Sequence, residues 1–232
     1  NAQENLLNKS KIAYKTAGLS ANQYMETATS FSASLIQSVG GDTAKAAKLA
    51  DQAIIDMSDN ANKMGTSMES IQNAYQGFAK QNYTMLDNLK LGYGGTKEEM
   101  QRLLDDAEKI SGIKYDISSF ADVTEAIHVM QEEMGIAGTT SKEAASTISG
   151  SVGMVKASWE NFLTGMADPD QDFGELVGGL TDSIGIALEN IVPRLVQALP
   201  RLIQGLAQVI QTLVGYLPQI LGALLPGLVT GA

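Results

Sequence analysis

Residues 140–166 read TSKEAASTISGSVGMVKASWENFLTGM and contain a long, regular apolar pattern. Apolar side chains recur there at alternating steps of three and four residues over three heptads. That spacing is typical of one face of an α-helix, whereas a strand repeats every two residues. We therefore expect a helix whose apolar seam packs in a core or against a second copy of the chain. The seam consists of Ala145, Ile148, Val152, Val155, Trp159, Phe162 and Met166.

Helix signals continue outside this stretch. A Thr three residues before a Glu predicts a helix start, because the hydroxyl can accept from a backbone N–H while the Glu reaches back. Asp168 before Pro169 predicts a further start, with Asp as the cap. The glycines at 40–41 and 92–95 predict connections between helices. The three Thr-x-x-Glu sequences begin at Thr66, Thr96 and Thr140.

Residues 42–57 also follow the helical period, and residues 112–117 are the best candidate for a short extended link. No other stretch favours a strand. The predicted fold class is all-α, with multiple helices joined by Gly-rich turns and a hydrophobic helical segment at the C-terminus. The shared apolar face in 42–57 is formed by Ala46, Ala50, Ala53, Ile54 and Met57.

From Leu176 onward the chain is rich in Leu, Ile, Val, Ala and Gly, and one set of polar residues is regularly spaced. These residues recur at steps of three and four and fall within an arc of roughly 100° on a helix. An apolar cylinder with so narrow a polar arc needs burial on most sides, by protein or by lipid. We interpret the arc as a possible membrane or pore stripe, formed by Arg194, Gln197, Arg201, Gln204, Gln208 and Gln211.

Both kinds of burial remain open for this segment. Residues 202–232 contain no charged side chain, and about 20 apolar residues suffice to cross a bilayer. Pro218, Pro226 and the glutamines weaken a helix that faces lipid alone. The two alternatives are a membrane-active tail and a tail that packs within an oligomer.

Composition and charge divide the chain into four predicted segments. Residues 1–57 form N-terminal helices, and residues 58–139 form the most acidic helical region. Residues 140–175 contain the heptad helix and a linker, and residues 176–232 form the hydrophobic tail. The sequence begins at Asn1 and stops within an apolar run, so we expect it to be a piece of a longer protein.

Composition also bears on the class of function. The chain has 16 Lys and Arg against 26 Asp and Glu, a net charge of −10 that argues against direct nucleic-acid binding. It contains no cysteine and one histidine, which excludes thiolate chemistry and two-histidine metal motifs. We expect no enzymatic activity, no cofactor and no metal.

Local motifs are better explained by structure than by chemistry. The sequence LGYGGTK at 91–97 lacks the order of a phosphate-binding loop and fits a turn between helices. Asp168, Asp170 and Asp172 have the spacing of a calcium loop but lack its glycine and glutamate. His128 has no second ligand or nucleophile spaced to it, so we interpret it as a structural histidine.

Three runs carry a resemblance to a known family. They are DMSDNANKMGT at 56–66, IQNAYQGFAKQNY at 71–83 and MLDNLKLGYGGT at 85–96. Together they closely resemble tail tape measure proteins of long-tailed bacteriophages and of prophages of Gram-positive bacteria. The resemblance covers most of residues 20–165. Beyond them the chain is similar to the family only in its hydrophobic character.

The resemblance implies a structural virion protein that extends through the lumen of the tail tube and sets tail length. It also implies several copies per tail and contacts with the tail tube protein and tail assembly chaperones. The protein would pass through the host cytoplasm during assembly and would insert into the host cell membrane during DNA ejection. The alternative function is a pore-forming or membrane-permeabilising helical protein outside any virion.

Overall fold

The computed structural model describes residues 1–229, and the side-chain environments of residues 1–219. The described residues contain α-helices, one short 3-10 helix at Leu86–Leu89 and no strand, which confirms the all-α prediction. The helices are α1 (Ala2–Lys11), α2 (Ala13–Thr16), α3 (Ala21–Ser38), α4 (Thr43–Met64), α5 (Met68–Phe78), α6 (Lys97–Ser111), α7 (Phe120–Glu133), α8 (Thr139–Ser146), α9 (Ile148–Gly165) and α10 (Phe173–Val229).

The chain divides into two compact units, Asn1–Ala187 and Leu188–Ala232. This division differs from the four segments expected from composition. The expected boundary at residue 57 falls inside α4, and one hydrophobic core extends across it from α2 to the loop after α7. Charge composition changes at that point, but packing does not, because the two sides of the boundary share the same buried face.

The core of the first unit lies between α3, α4, α5, α6 and α7. The apolar face predicted in residues 42–57 is fully buried there. Aromatic rings fill the remaining space, with Phe31 and Phe120 in a T-shaped contact at 6.1 Å. The small alanines of α4 allow this helix to lie close to several neighbouring helices at once. It therefore lies at the centre of the unit.

Two predicted helix starts fall at or beside observed caps. Thr96 caps α6 as predicted, because its hydroxyl accepts from the N–H of Glu99 at 3.2 Å. The carboxylate of Glu99 accepts from the N–H of Gly94, at 2.9 Å. The start of α5 was predicted one residue early. Ser67 is the cap, because its hydroxyl accepts from the N–H of Ser70, and the hydroxyl of Thr66 donates to the carbonyl of Asn88 in the 3-10 helix.

The other two predicted starts are wrong. Thr140 lies inside α8, which begins after Gly138, and the N–H groups at this end are bound by Asp59 from α4. Asp168 lies in a turn before α10, and Asp172 caps that helix four residues later. In the first case a distant carboxylate supplies the cap, and a local motif cannot show that.

The glycine-rich connections occur where the sequence places them. Gly40 and Gly41 adopt positive φ angles of 66° and 88° between α3 and α4. Gly95 has a different role, because a Cβ atom there would overlap the carbonyl oxygen of Thr84. Residues 113–116 have no regular secondary structure and connect α6 to α7, so the extended link stays a prediction.

Candidate functional site

Most of the seam predicted in residues 140–166 faces solvent, whereas Val155 and Phe162 are half-buried. Ile148, Val152, Trp159 and Met166 are between 38% and 52% exposed. The opposite face of α9 is the one that packs on the unit, and it buries small residues and one methionine: Ser151, Met154, Ala157, Ser158 and Gly165. The seam is therefore not part of the core of this chain. Its packing against another copy stays a prediction.

The helix that carries the seam is shorter than expected. Ala145 belongs to α8, which ends at Ser146, and Thr147 is extended and caps α9 through the N–H of Gly150. The chain bends at this cap because Thr147 leaves the helical region of backbone angles. The seam on α9 thus begins at Ile148, and Ala145 lies outside that continuous stripe.

An aromatic cluster extends the seam towards α10. The rings of Trp159 and Phe162 stack at 5.6 Å, and those of Phe162 and Phe173 lie 5.9 Å apart. Trp159 is 48% exposed and Phe173 is 58% exposed. Large rings with one open face are typical of protein contact surfaces. We call Ile148, Val152, Trp159, Met166 and Phe173 together the seam surface.

Polar contacts from distant parts of the chain hold this surface in place. Asp59, which is fully buried, accepts from the N–H groups of Gly138 at 2.6 Å and Thr140 at 2.8 Å. Asn161 on α9 accepts from the N–H of Ala21 at 2.7 Å and so binds the start of α3. Sequence reasoning missed these contacts, because their partners are about 80 and 140 residues apart.

The second surface is the apolar helix of the unit Leu188–Ala232. All six residues of the predicted polar arc lie on α10 and are exposed. The apolar side is exposed as well, with Leu206 at 62% and Leu213 at 58%. Among residues 1–229, no helix combines the length of a membrane span with the mean hydropathy that such a span requires. We call residues 188–219 the apolar shaft.

His128 lies in a polar cluster between α4 and α7. Its Nδ1 is 2.9 Å from Oδ1 of Asp56, a side chain that is 1% exposed, and Gln52 contacts both groups at 3.2 Å. The hydrogen bond to Asp56 raises the pKa of His128, whereas burial raises the pKa of Asp56. The sequence indicated a structural histidine but not its partner, because Asp56 is 72 residues away.

The remaining motifs have structural roles. In the glycine-rich turn, hydrogen bonds from Arg102 and from the N–H of Gly94 lower the pKa of Glu99 to about 2. Asp168 accepts from backbone and side-chain N–H groups of its own turn. Among the described residues, no three His, Asp or Glu side chains are grouped so that they could hold a metal ion.

Comparison of the chain with protein-family models, with curated proteins and with solved structures finds no match.

Proposed function

We propose that this chain is a segment of a phage tail tape measure protein, with a structural role in tail assembly and tail-length determination. One observation carries the proposal beyond the sequence resemblance. Apolar side chains are exposed around the whole circumference of the apolar shaft except along one polar arc. A helix of this kind is stable only when other molecules surround it.

The geometry of the shaft favours an enclosing partner over a flat one. Leu206 projects opposite the centre of the polar arc, and Leu199 and Leu213 lie beside it on the helix surface. A single flat surface would cover only one side of such a cylinder. Neighbouring copies within a tube would cover all of it, and they could direct the Arg and Gln side chains towards water.

The seam surface supports the same role through a different part of the chain. It presents apolar residues at heptad spacing along α9, whose other face is already packed, and continues onto Phe173 of α10. Knobs-into-holes packing with another helix would bury them. The proposed partners are other copies of the chain, the tail tube protein and tail assembly chaperones. The proposed location is the lumen of the tail tube, after assembly in the host cytoplasm.

Cross-linking in assembled particles tests the proposal. A photoreactive phenylalanine analogue would replace Leu206 on the apolar side in one variant, and Lys109, an exposed residue of α6, in the control. We expect Leu206 adducts with the tail tube protein or with a second copy, and few adducts from position 109. Particles without the chain, or Leu206 adducts with neither partner, would overturn the proposal.

Vesicle leakage separates this role from the pore-forming alternative. The full chain is compared with a variant carrying Leu206→Lys and Leu213→Lys, and with a control carrying Gln204→Lys and Gln211→Lys at the same spacing. A structural role in the tail predicts that the first pair abolishes self-association and that the control does not. Leakage by the wild type without detectable self-association, lost only in the first pair, would favour the pore, because the proposed tail role includes packing between copies.

A further inference from the structure

A buried acidic group joins the two central helices of the first unit. The Asp56 side chain is 1% exposed, and its oxygens lie 2.9 and 3.1 Å from Nδ1 of His128. Gln52 donates to the same carboxylate at 3.2 Å. A buried carboxylate without a positive partner is strongly unfavourable. A protonated His128 supplies this positive partner.

We propose that Asp56 and His128 form a proton-dependent latch between α4 and α7, closed when the imidazole is protonated and loosened when it is neutral. The latch is a property of the first unit alone. It stands independently of the proposed role in phage tails.

Protons from solvent reach the latch through a cleft between the two helices. The cleft has a volume of about 360 Å³, and both His128 and Asp56 line it. The His128 side chain is 24% exposed, so it can exchange protons without unfolding of the unit. Lys45 and Lys48 line the same cleft as exposed side chains. The hydrogen bonds and ion pairs of the Asp56 carboxylate come from His128 and Gln52.

The charged surroundings favour the protonated imidazole. On α7, Glu132 lies 3.5 Å from Nε2 of His128, and Glu125 adds a weaker attraction. On α4, Asp59 acts on Asp56 as a like charge. On α5, the buried hydroxyl of Tyr75 is uncharged in the neutral range, because burial raises its pKa well above the usual value. Lys45 and Lys48 at the cleft are positive, so their charges act against protonation of His128.

The direction of the pH effect follows from the raised pKa of His128. A group whose pKa is higher in the folded state stabilises that state fully below its unfolded pKa, near 6.5. This stabilisation disappears as the pH rises through the folded pKa. The raised pKa of Asp56 has the same sign at lower pH, since its charged form is the disfavoured one. Both shifts loosen the contact with increasing pH.

The test combines two measurements on the full chain. His128 is the only histidine in the sequence, so an NMR titration of its ring gives the folded pKa without ambiguity. Hydrogen exchange of α4 and α7, corrected for intrinsic rates, gives the opening constant at pH 6.5 and pH 9. If the folded pKa exceeds 6.5 by one unit, we expect that constant to rise about fivefold between these pH values, because the unfolded histidine is itself half protonated at pH 6.5.

Two variants complete the test. Asp56→Asn should return the His128 pKa towards its ordinary value and abolish the rise in opening. Glu132→Gln, at an exposed partner of the same ring, should leave most of the rise in place. The proposal would be overturned by an ordinary His128 pKa in the wild type. It would also be overturned if the opening constant of Asp56→Asn rose with pH as much as that of the wild type. The wild-type titration decides the question even if a variant fails to fold.

Discussion

Replacing Asp59 with alanine removes the buried cap of α8, which packs on α9, and is expected to loosen this support of the seam surface. The carboxylate is fully buried and accepts from two backbone N–H groups, at 2.6 and 2.8 Å. Hydrogen bonds to a charged group contribute about 1.5–3 kcal/mol each. Water entering the vacated space recovers part of the loss, so we expect the free energy of unfolding to fall by about 3–5 kcal/mol.

Asp42 provides a matched control for this substitution. It is also an aspartate cap, of α4, but it is exposed and accepts from a single N–H group at 2.9 Å. Asp42→Ala should cost about 1 kcal/mol, the usual value for an exposed cap. Urea unfolding followed by circular dichroism gives both values. If Asp59→Ala costs no more than Asp42→Ala, the buried contact does not hold α8 in place.

Four further substitutions test the packing in three places. Tyr75→Phe removes a buried hydroxyl that has no hydrogen-bond partner and should be neutral or stabilising by about 1 kcal/mol. Gly95→Ala should destabilise by about 2 kcal/mol or more, because the new methyl overlaps the carbonyl of Thr84. Val152→Lys on the exposed seam should change stability by less than about 0.5 kcal/mol, whereas Ala157→Lys on the buried face of α9 should prevent its packing.

The same urea titrations decide these three cases. A clear loss of stability in Tyr75→Phe would mean that the hydroxyl has a partner after all. A neutral Gly95→Ala would mean that the loop before α6 can move away from Thr84. Equal effects of Val152→Lys and Ala157→Lys would mean that the two faces of α9 do not differ in burial.

Local chemistry made the helical fold predictable from the sequence. Thr96 caps α6 because the hydroxyl and its target N–H are three residues apart, which a motif can show. The alanine face of α4 was equally visible, since a period of 3.6 residues requires no knowledge of the partner helices. Predictions of this kind depend on neighbours in the chain, and neighbours are given by the sequence itself.

Contacts between distant residues were not predictable in this way. Thr140 begins a capping sequence, but the carboxylate of Asp59, and not a local hydroxyl, accepts from the backbone N–H groups at the start of α8. The seam on α9 has the period of a buried face, yet the smaller residues on the other side pack inwards. Period alone shows that a face is apolar. Whether the same chain covers that face depends on tertiary packing.

Tail length is the measurement that tests the proposed function most directly. Residues 192–219 are deleted in frame in the gene that encodes the chain, and tails of the resulting particles are measured by electron microscopy. At 1.5 Å per helical residue, we expect tails shorter by about 42 Å. An unrelated helical segment of equal length at the same place should restore them. Particles that contain the shortened chain but keep tails of the original length would contradict the account.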